Sequence, residues 1–288
     1  MELRDLKIFE SVAQTHSLSR AAQTLGYVQS NVSARIRRLE EELQTTLLYR
    51  HAKGVHLTPS GEKLRAYARQ FVQLEQAMLE ELAARPAMEG KLRLGSIEST
   101  ASTHLPATLQ QVMTKHPRLH VSLTISETRD LVQQVLAYDL DGAFVVGDVD
   151  RPDVASVPVL QEALALITPP ELSLPMLQDP GYTPTLLVLQ EGCIYRQTLL
   201  DWTHNHQSSS PKIMECASLE TIIELTKAGI GVSLLSQSYL QRRDRTQGLS
   251  THTLESPYQE ATTWFIYRND NLQHRSLRTF LDTFAKQS

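Results

Sequence analysis

Two cysteines in 288 residues, Cys193 and Cys216, are too few to staple a fold together. A reducing, cytoplasmic setting is therefore expected, with both thiols packed and reduced. No stretch approaches the ~18 consecutive apolar residues needed to cross a bilayer, so no membrane partner is expected. The first residues, MELRDLKIFE, mix charge with apolar side chains and contain no signal-peptide core. No repeat of fixed period and no low-complexity tract occurs. Hydrophobic residues make up 41% and charged residues 21%, which excludes a disordered chain or a rod. A phosphate-cradling glycine loop is missing. Gly231-Val232-Ser233-Leu234-Leu235 starts like a nucleophile elbow but lacks its closing glycine. His204-Asn205-His206 is too short and isolated for a metal site. No catalytic residue, metal or cofactor is expected. A signal-less solute-binding protein is the other alternative, and the N-terminal region argues against it.

What is present is an uneven distribution of charge. The formal net charge of −4 excludes a uniformly basic coat. Before residue 86 the chain carries 12 Lys and Arg against 10 Asp and Glu; after it, 16 against 22. A +2 module is joined to a −6 module.

The first module reads as helical. Leu3, Leu6, Phe9, Val12 and Ala13 recur at helical spacing, as do Leu18, Ala21, Ala22 and Leu25. Ser17 suits an N-cap and Gly26 a helix end. A third helix would turn Val32, Ile36, Leu39 and Leu43 inward and leave Gln29, Ser30, Asn31, Ser33, Arg35 and Arg38 on its other face. Two helices separated by the tight turn Gly26-Tyr27-Val28 match a helix-turn-helix, whose second helix enters the major groove. Gln and Asn pair with adenine edges and Arg with guanine, while hydroxyls and helix N-termini suit phosphate. Two strand-like runs, Leu47–Arg50 and Val55–Thr58, flank Gly54 and form a candidate basic wing carrying Arg50, His51 and Lys53. Thr58-Pro59-Ser60-Gly61 then opens a helix that runs unbroken to about Leu82. Its seam of Leu64, Tyr67, Phe71, Leu74 and Met78 predicts a dimerising helix, and 83–86 reads as a hinge. Beyond Gly90, strands alternate with helices, with one helix expected near Thr103–Lys115 and a strand at Ala163–Ile167, which predicts parallel α/β units arranged as two lobes.

Several motifs together resemble the LysR-type transcriptional regulators over the whole length. They are Phe9, Ser17-Leu18-Ser19-Arg20-Ala21-Ala22, Gln29-Ser30-Asn31-Val32-Ser33, Ile36-Arg37-Arg38-Leu39-Glu40-Glu41-Glu42-Leu43 and Leu57-Thr58-Pro59-Ser60-Gly61. Leu47-Leu48-Tyr49-Arg50 departs from the usual Leu-Phe-x-Arg by one aromatic position. The resemblance implies an α/β chain with a winged helix-turn-helix over 1–58. A linker helix and hinge would follow over 59–89. A two-lobed, periplasmic-binding-protein-like effector domain would cover 90–288, with lobe I at about 90–161 and 266–288 and lobe II at about 162–265. It implies that Gln29, Ser30, Asn31, Ser33 and Arg35 face bases or nearby phosphates. Arg20, Arg50, Lys53 and Thr58 would position the backbone of double-stranded DNA.

The resemblance also implies a small-molecule effector, expected to be a small organic acid or metabolite, in a cleft between the lobes. Its candidate residues are Ser99, Thr100 and Ser102 after the first strand, Thr128 after the second, and Cys193, Tyr195 and Arg196 at a strand-to-helix junction of the second lobe. Glu98 beside the first loop weighs against a strongly anionic ligand. A homodimer assembling into a homotetramer is expected, with RNA polymerase as a candidate contact and activation or repression as the output.

Overall fold

A computed structural model describes residues 1–51, 54–82, 90–179, 181–206, 210–242, 245–271 and 275–286. Lys53 and the hinge expected at 83–86 lie outside them. The chain divides into two units, Met1–Pro86 and Ala87–Ser288.

In the first unit, the helices α1 (Leu3–Thr15), α2 (Leu18–Leu25) and α3 (Gln29–Glu42) precede a hairpin of β1 (Leu48–His51) and β2 (Gly54–Leu57). The long helix α4 (Pro59–Leu82) follows. Local chemistry sets each boundary. Glu2 and Asp5 form a reciprocal capping box at the start of α1. The Ser17 side chain accepts from the Arg20 N–H at 3.3 Å to start α2. Gly26, at φ 69°, ends it in the left-handed conformation that a side chain would strain. Leu6, Phe9, Val12, Ala21, Val32, Ile36 and Leu39 form the buried core, so the predicted stripes do face inward.

Glu40 fixes the hairpin to α3. Its Oε1 accepts from the Leu47 N–H at 2.9 Å and the Leu48 N–H at 3.2 Å. Helix α4 is fastened to α1 through Glu10, which accepts from Arg65 at 3.2 Å and Arg69 at 2.9 Å. Gly61 is required where α4 passes β1, because a Cβ there would lie 2.2 Å from the Leu47 carbonyl oxygen.

The second unit contains β3 (Gly90–Ser96), α5 (Glu98–Thr103), α6 (Leu105–Lys115), β4 (Leu119–Ile125), α7 (Thr128–Leu136), β5 (Gly142–Val146) and β6 (Val154–Thr168). It continues with α8 (Leu174–Leu177), β7 (Thr185–Val188), α9 (Ile194–His206), β8 (Lys212–Glu215), α10 (Leu219–Lys227) and β9 (Ser233–Ser236). The last elements are α11 (Gln237–Gln241), β10 (Ser250–His252), β11 (Glu260–Arg268) and α12 (Arg275–Ala285). Strands β4, β3 and β5 run parallel, and β11 pairs antiparallel with both β5 and β6 to complete lobe I. In lobe II, the far half of β6 pairs with β9 and β10, and β7 pairs in parallel with β8.

Three expectations change. The single helix expected from Thr103 to Lys115 is two, because Pro106 has no N–H with which to continue a preceding helix. The strand expected at Ala163–Ile167 is the end of a 15-residue strand that passes from one lobe to the other. Pro158 hid its first half; it is accommodated opposite the register shift at Thr263/Trp264. Finally, β11 pairs with β5 from Thr263 onward, so the chain has rejoined lobe I before the expected boundary at 266.

Candidate nucleic-acid interface and effector cleft

The N-terminal face of α3 is open. Val28, Gln29, Ser30, Asn31, Ala34, Arg37 and Arg38 are exposed and Ser33 is half-buried, whereas Val32, Ile36 and Leu39 are buried. Among the described residues, the side chains of Arg20, Arg37 and Arg38 have no hydrogen-bonded or ionic partner, which leaves three cations available around the helix-turn-helix. Gln29 is held by the Ser19 hydroxyl at 2.9 Å, a bond that ties α3 to α2 across the turn.

Other predicted contacts are engaged elsewhere. Arg35 Nη1 donates to Asp5 Oδ1 at 2.6 Å and lies 3.5 Å from Glu2 Oε2. The hydrogen bond to Asp5 is the main reason its guanidinium is held protonated above its ordinary range. Thr58 is buried; its hydroxyl donates to the Thr46 carbonyl at 2.7 Å and accepts from the Gly61 N–H at 3.0 Å. It caps α4 and has no hydrogen left for a phosphate. Arg50 stays exposed but lies 3.3 Å from Glu40.

On α4, Tyr67, Phe71, Leu74 and Met78 are all about half exposed or more, and Leu79 joins them. Leu64 differs from the predicted seam, because it packs against the core of the helical bundle.

In the second unit, a cleft opens where the C-terminal ends of parallel strands meet helix starts. Its walls come from both lobes: Ile97, Glu98 and Ser99 after β3, Glu127 and Thr128 after β4, and Val146 on β5. Leu189, Cys193, Ile194, Tyr195 and Leu219 complete it from lobe II. The Ser99 and Tyr195 hydroxyls lie 3.3 Å apart across it. Burial drives the Tyr195 hydroxyl far above its ordinary range, so it stays neutral. Burial likewise pushes the Cys193 thiol up to about 11. Glu127 is raised, first by burial and then by the negative charges of Asp130 and Glu98. The Leu219 N–H, at the start of α10, points to Glu98 Oε2 at 3.4 Å.

Residues 3–62 match the family described as bacterial regulatory helix-turn-helix protein, lysR family, and residues 86–288 match the LysR substrate binding domain. The chain belongs to the LysR family of transcriptional regulators. This LysR regulator is 37% identical to the uncharacterized HTH-type transcriptional regulator YusT of Bacillus subtilis, covering 99% of this chain and 96% of that protein. It is 36% identical to HTH-type transcriptional regulator GltR of the same organism, over 98% and 95% of the two chains. The fold matches a single-residue variant of full-length OxyR from Pseudomonas aeruginosa with a TM-score of 0.83 at 22% identity, covering 100% and 96%. It also matches full-length CbnR, solved in complex with its target DNA, with a TM-score of 0.67 at 22% identity over the full length of both. The family comprises DNA-binding regulators with effector domains, not enzymes.

Within the LysR effector domain, the structure brings Ser99, Thr128, Cys193 and Tyr195 together around the cleft. It leaves Thr100, Ser102 and Arg196 out of the lining. Thr100 is fully buried, and its hydroxyl has no partner among the described residues. The Ser102 hydroxyl donates to the Ser99 carbonyl at 3.1 Å. Arg196 donates through Nη1 to Glu215 at 2.7 Å and to the Leu189 carbonyl at 3.1 Å. Glu127 is the main residue that the sequence patterns passed over. Its signal was its place directly after β4, where Thr128 alone drew attention. Both cysteines are free thiols. Among the described residues, no group of His, Cys, Asp and Glu is placed to hold a metal ion, and no helix is long and apolar enough to cross a membrane.

Proposed function

We infer that this LysR regulator binds its operator through the exposed face of α3, with Ser30, Asn31 and Arg38 toward base edges. Arg20, Arg37 and the wing residue Arg50 serve the phosphates. A small molecule in the lobe cleft sets whether the bound assembly activates or represses. The apolar stripe of α4 pairs two chains, and pairs of dimers hold two half-sites on one face of cytoplasmic DNA, within reach of RNA polymerase. The observation that carries the effector reading is the Ser99–Tyr195 contact, one hydroxyl from each lobe at 3.3 Å, in a cavity at the strand ends. A ligand that wedges or bridges this contact changes lobe closure, and it shifts the assembly only as far as it prefers one closure state.

A gel shift on the DNA upstream of the gene, repeated over a salt series, tests the binding half. Log affinity is expected to fall with log salt at about −0.9 per neutralised phosphate. A flat salt response with no retained complex would sink it. For the effector half, Thr128→Trp fills the cleft and should freeze the footprint in one form whatever metabolite extract is added. A variant that responds like the wild type would place the effector elsewhere.

A further inference from the structure

The cleft has a charge character that points to the class of its ligand. Two carboxylates, Glu98 and Glu127, line it, and no Lys, Arg or His is among its lining residues. Arg196 lines an adjoining cavity that shares Leu189, Cys193 and Tyr195 with the cleft, and its Nη1 is engaged by Glu215 and a carbonyl. Arg129, next to Thr128, is exposed and outside the lining; its Cβ stands against Gly192.

One place where an anion would dock is already taken. A helix start offers unpaired N–H groups and a partial positive charge. At α10, that position faces the Glu98 carboxylate at 3.4 Å. At α7, the residue preceding the helix is Glu127, whose side chain does not cap it but brings a like charge to any anion. Glu127 is partly buried, and among the described residues its carboxylate has no hydrogen bond and no ion pair. A carboxylate removed from water without a partner is costly, and a like charge nearby adds to that cost. A bound cation would remove both costs. The rest of the wall suits the carbon skeleton of such a ligand: Ile97, Val146, Leu189, Ile194 and Leu219 are apolar, and the Ser99, Thr128 and Tyr195 hydroxyls can accept N–H bonds.

Resting on the effector reading above, we propose that the ligand is a small organic cation whose ammonium or guanidinium group pairs with Glu127, in the field of Glu98. The small organic acid expected from the sequence would instead meet two carboxylates and no counter-charge among the lining residues.

Titration calorimetry on the full-length protein tests this with putrescine and agmatine as cations. Succinate and butanediol serve as anionic and neutral controls of matched carbon length. At least one cation is expected to bind, and succinate is not. Glu127→Gln, which keeps the side chain's shape, should weaken that binding by about tenfold or more, the scale of one charge-assisted hydrogen bond. Glu127→Asp should restore part of it. Failure of both amines to bind, or equal binding to wild type and Glu127→Gln, overturns the proposal. So does succinate binding that tightens in Glu127→Gln; in that case the cleft remains the effector site and only the ligand class is wrong. Amine binding that survives Thr128→Trp takes the site out of the cleft, and the effector reading falls with it.

Discussion

Arg35 on α3 donates to Asp5 Oδ1 at 2.6 Å, and that aspartate is almost fully buried at the start of α1. The contact ties α3 to α1 within the helical bundle. It also takes away a residue whose type and position suggest base recognition. A buried carboxylate needs a paired cation, and Arg35 supplies it.

Arg35→Ala is therefore expected to lower the melting temperature of the first unit while leaving operator preference intact well below melting. A double-mutant cycle with Asp5→Asn should show strong coupling between the two positions. An unchanged melting curve together with relaxed operator selectivity would return Arg35 to the base-contacting set.

Arg38 carries the opposite expectation. It is exposed and, among the described residues, unpaired. Arg38→Ala should cost about 1–3 kcal/mol of operator affinity if it reads a guanine, with selectivity lost at one position. If it meets a phosphate instead, binding should weaken uniformly and the salt slope should drop by about one. Gel shifts on single-base operator variants at several salt concentrations distinguish these outcomes.

Glu127 gives a pH signature. Burial, aided by Asp130 and Glu98, raises its folded-state pKa above the ordinary carboxylate value. The folded chain then holds this proton more tightly than the unfolded chain does. The resulting stability is present below the ordinary value and is lost as pH climbs through the raised one. The melting-temperature difference between Glu127→Gln and wild type should be near zero in acid and become positive toward neutral pH. A difference that stays flat across that range would show that Glu127 is not strained by its surroundings.

Cys193 should be inert. With its thiol pushed up to about 11 by burial, only about one molecule in ten thousand carries a thiolate at neutral pH. Alkylation by iodoacetamide should be far slower than for a free thiol in solution, and Cys193→Ser should leave operator binding unchanged. Rapid labelling at Cys193 would show that the thiol is far more accessible than its burial implies.

Much of the fold was legible in the sequence because periodicity and punctuation agree in it. Ser17, Gly26 and Thr58-Pro59 mark boundaries that the structure also uses, and the stripes of α1 to α3 are the core. What the patterns leave out is pairing that is invisible along the chain. Arg35 and Thr58 have the right side chains for DNA, but Asp5, thirty residues away, and the Thr46 carbonyl claim them first. Arg196 follows the same rule through Glu215. The first half of β6 was missed because a proline argues against strand wherever the bulge that accommodates it cannot be foreseen. In the cleft, hydroxyls were easy to nominate, whereas the influence of Glu127 depends on which other carboxylates the fold brings beside it.

The strand β6 bears on how a sensor of this shape can move. Its register with β11 runs from Val154 to Ala163, and its register with β9 begins at Leu164. Consecutive residues of one hydrogen-bonded ribbon thus belong to different lobes, and no slack linker lies between them. Rotation of one lobe about the strand axis needs only a change in local twist. The register slip at Thr263/Trp264 supplies the point where the opposing strand can follow. The ligand's signal would then leave the cleft as torque.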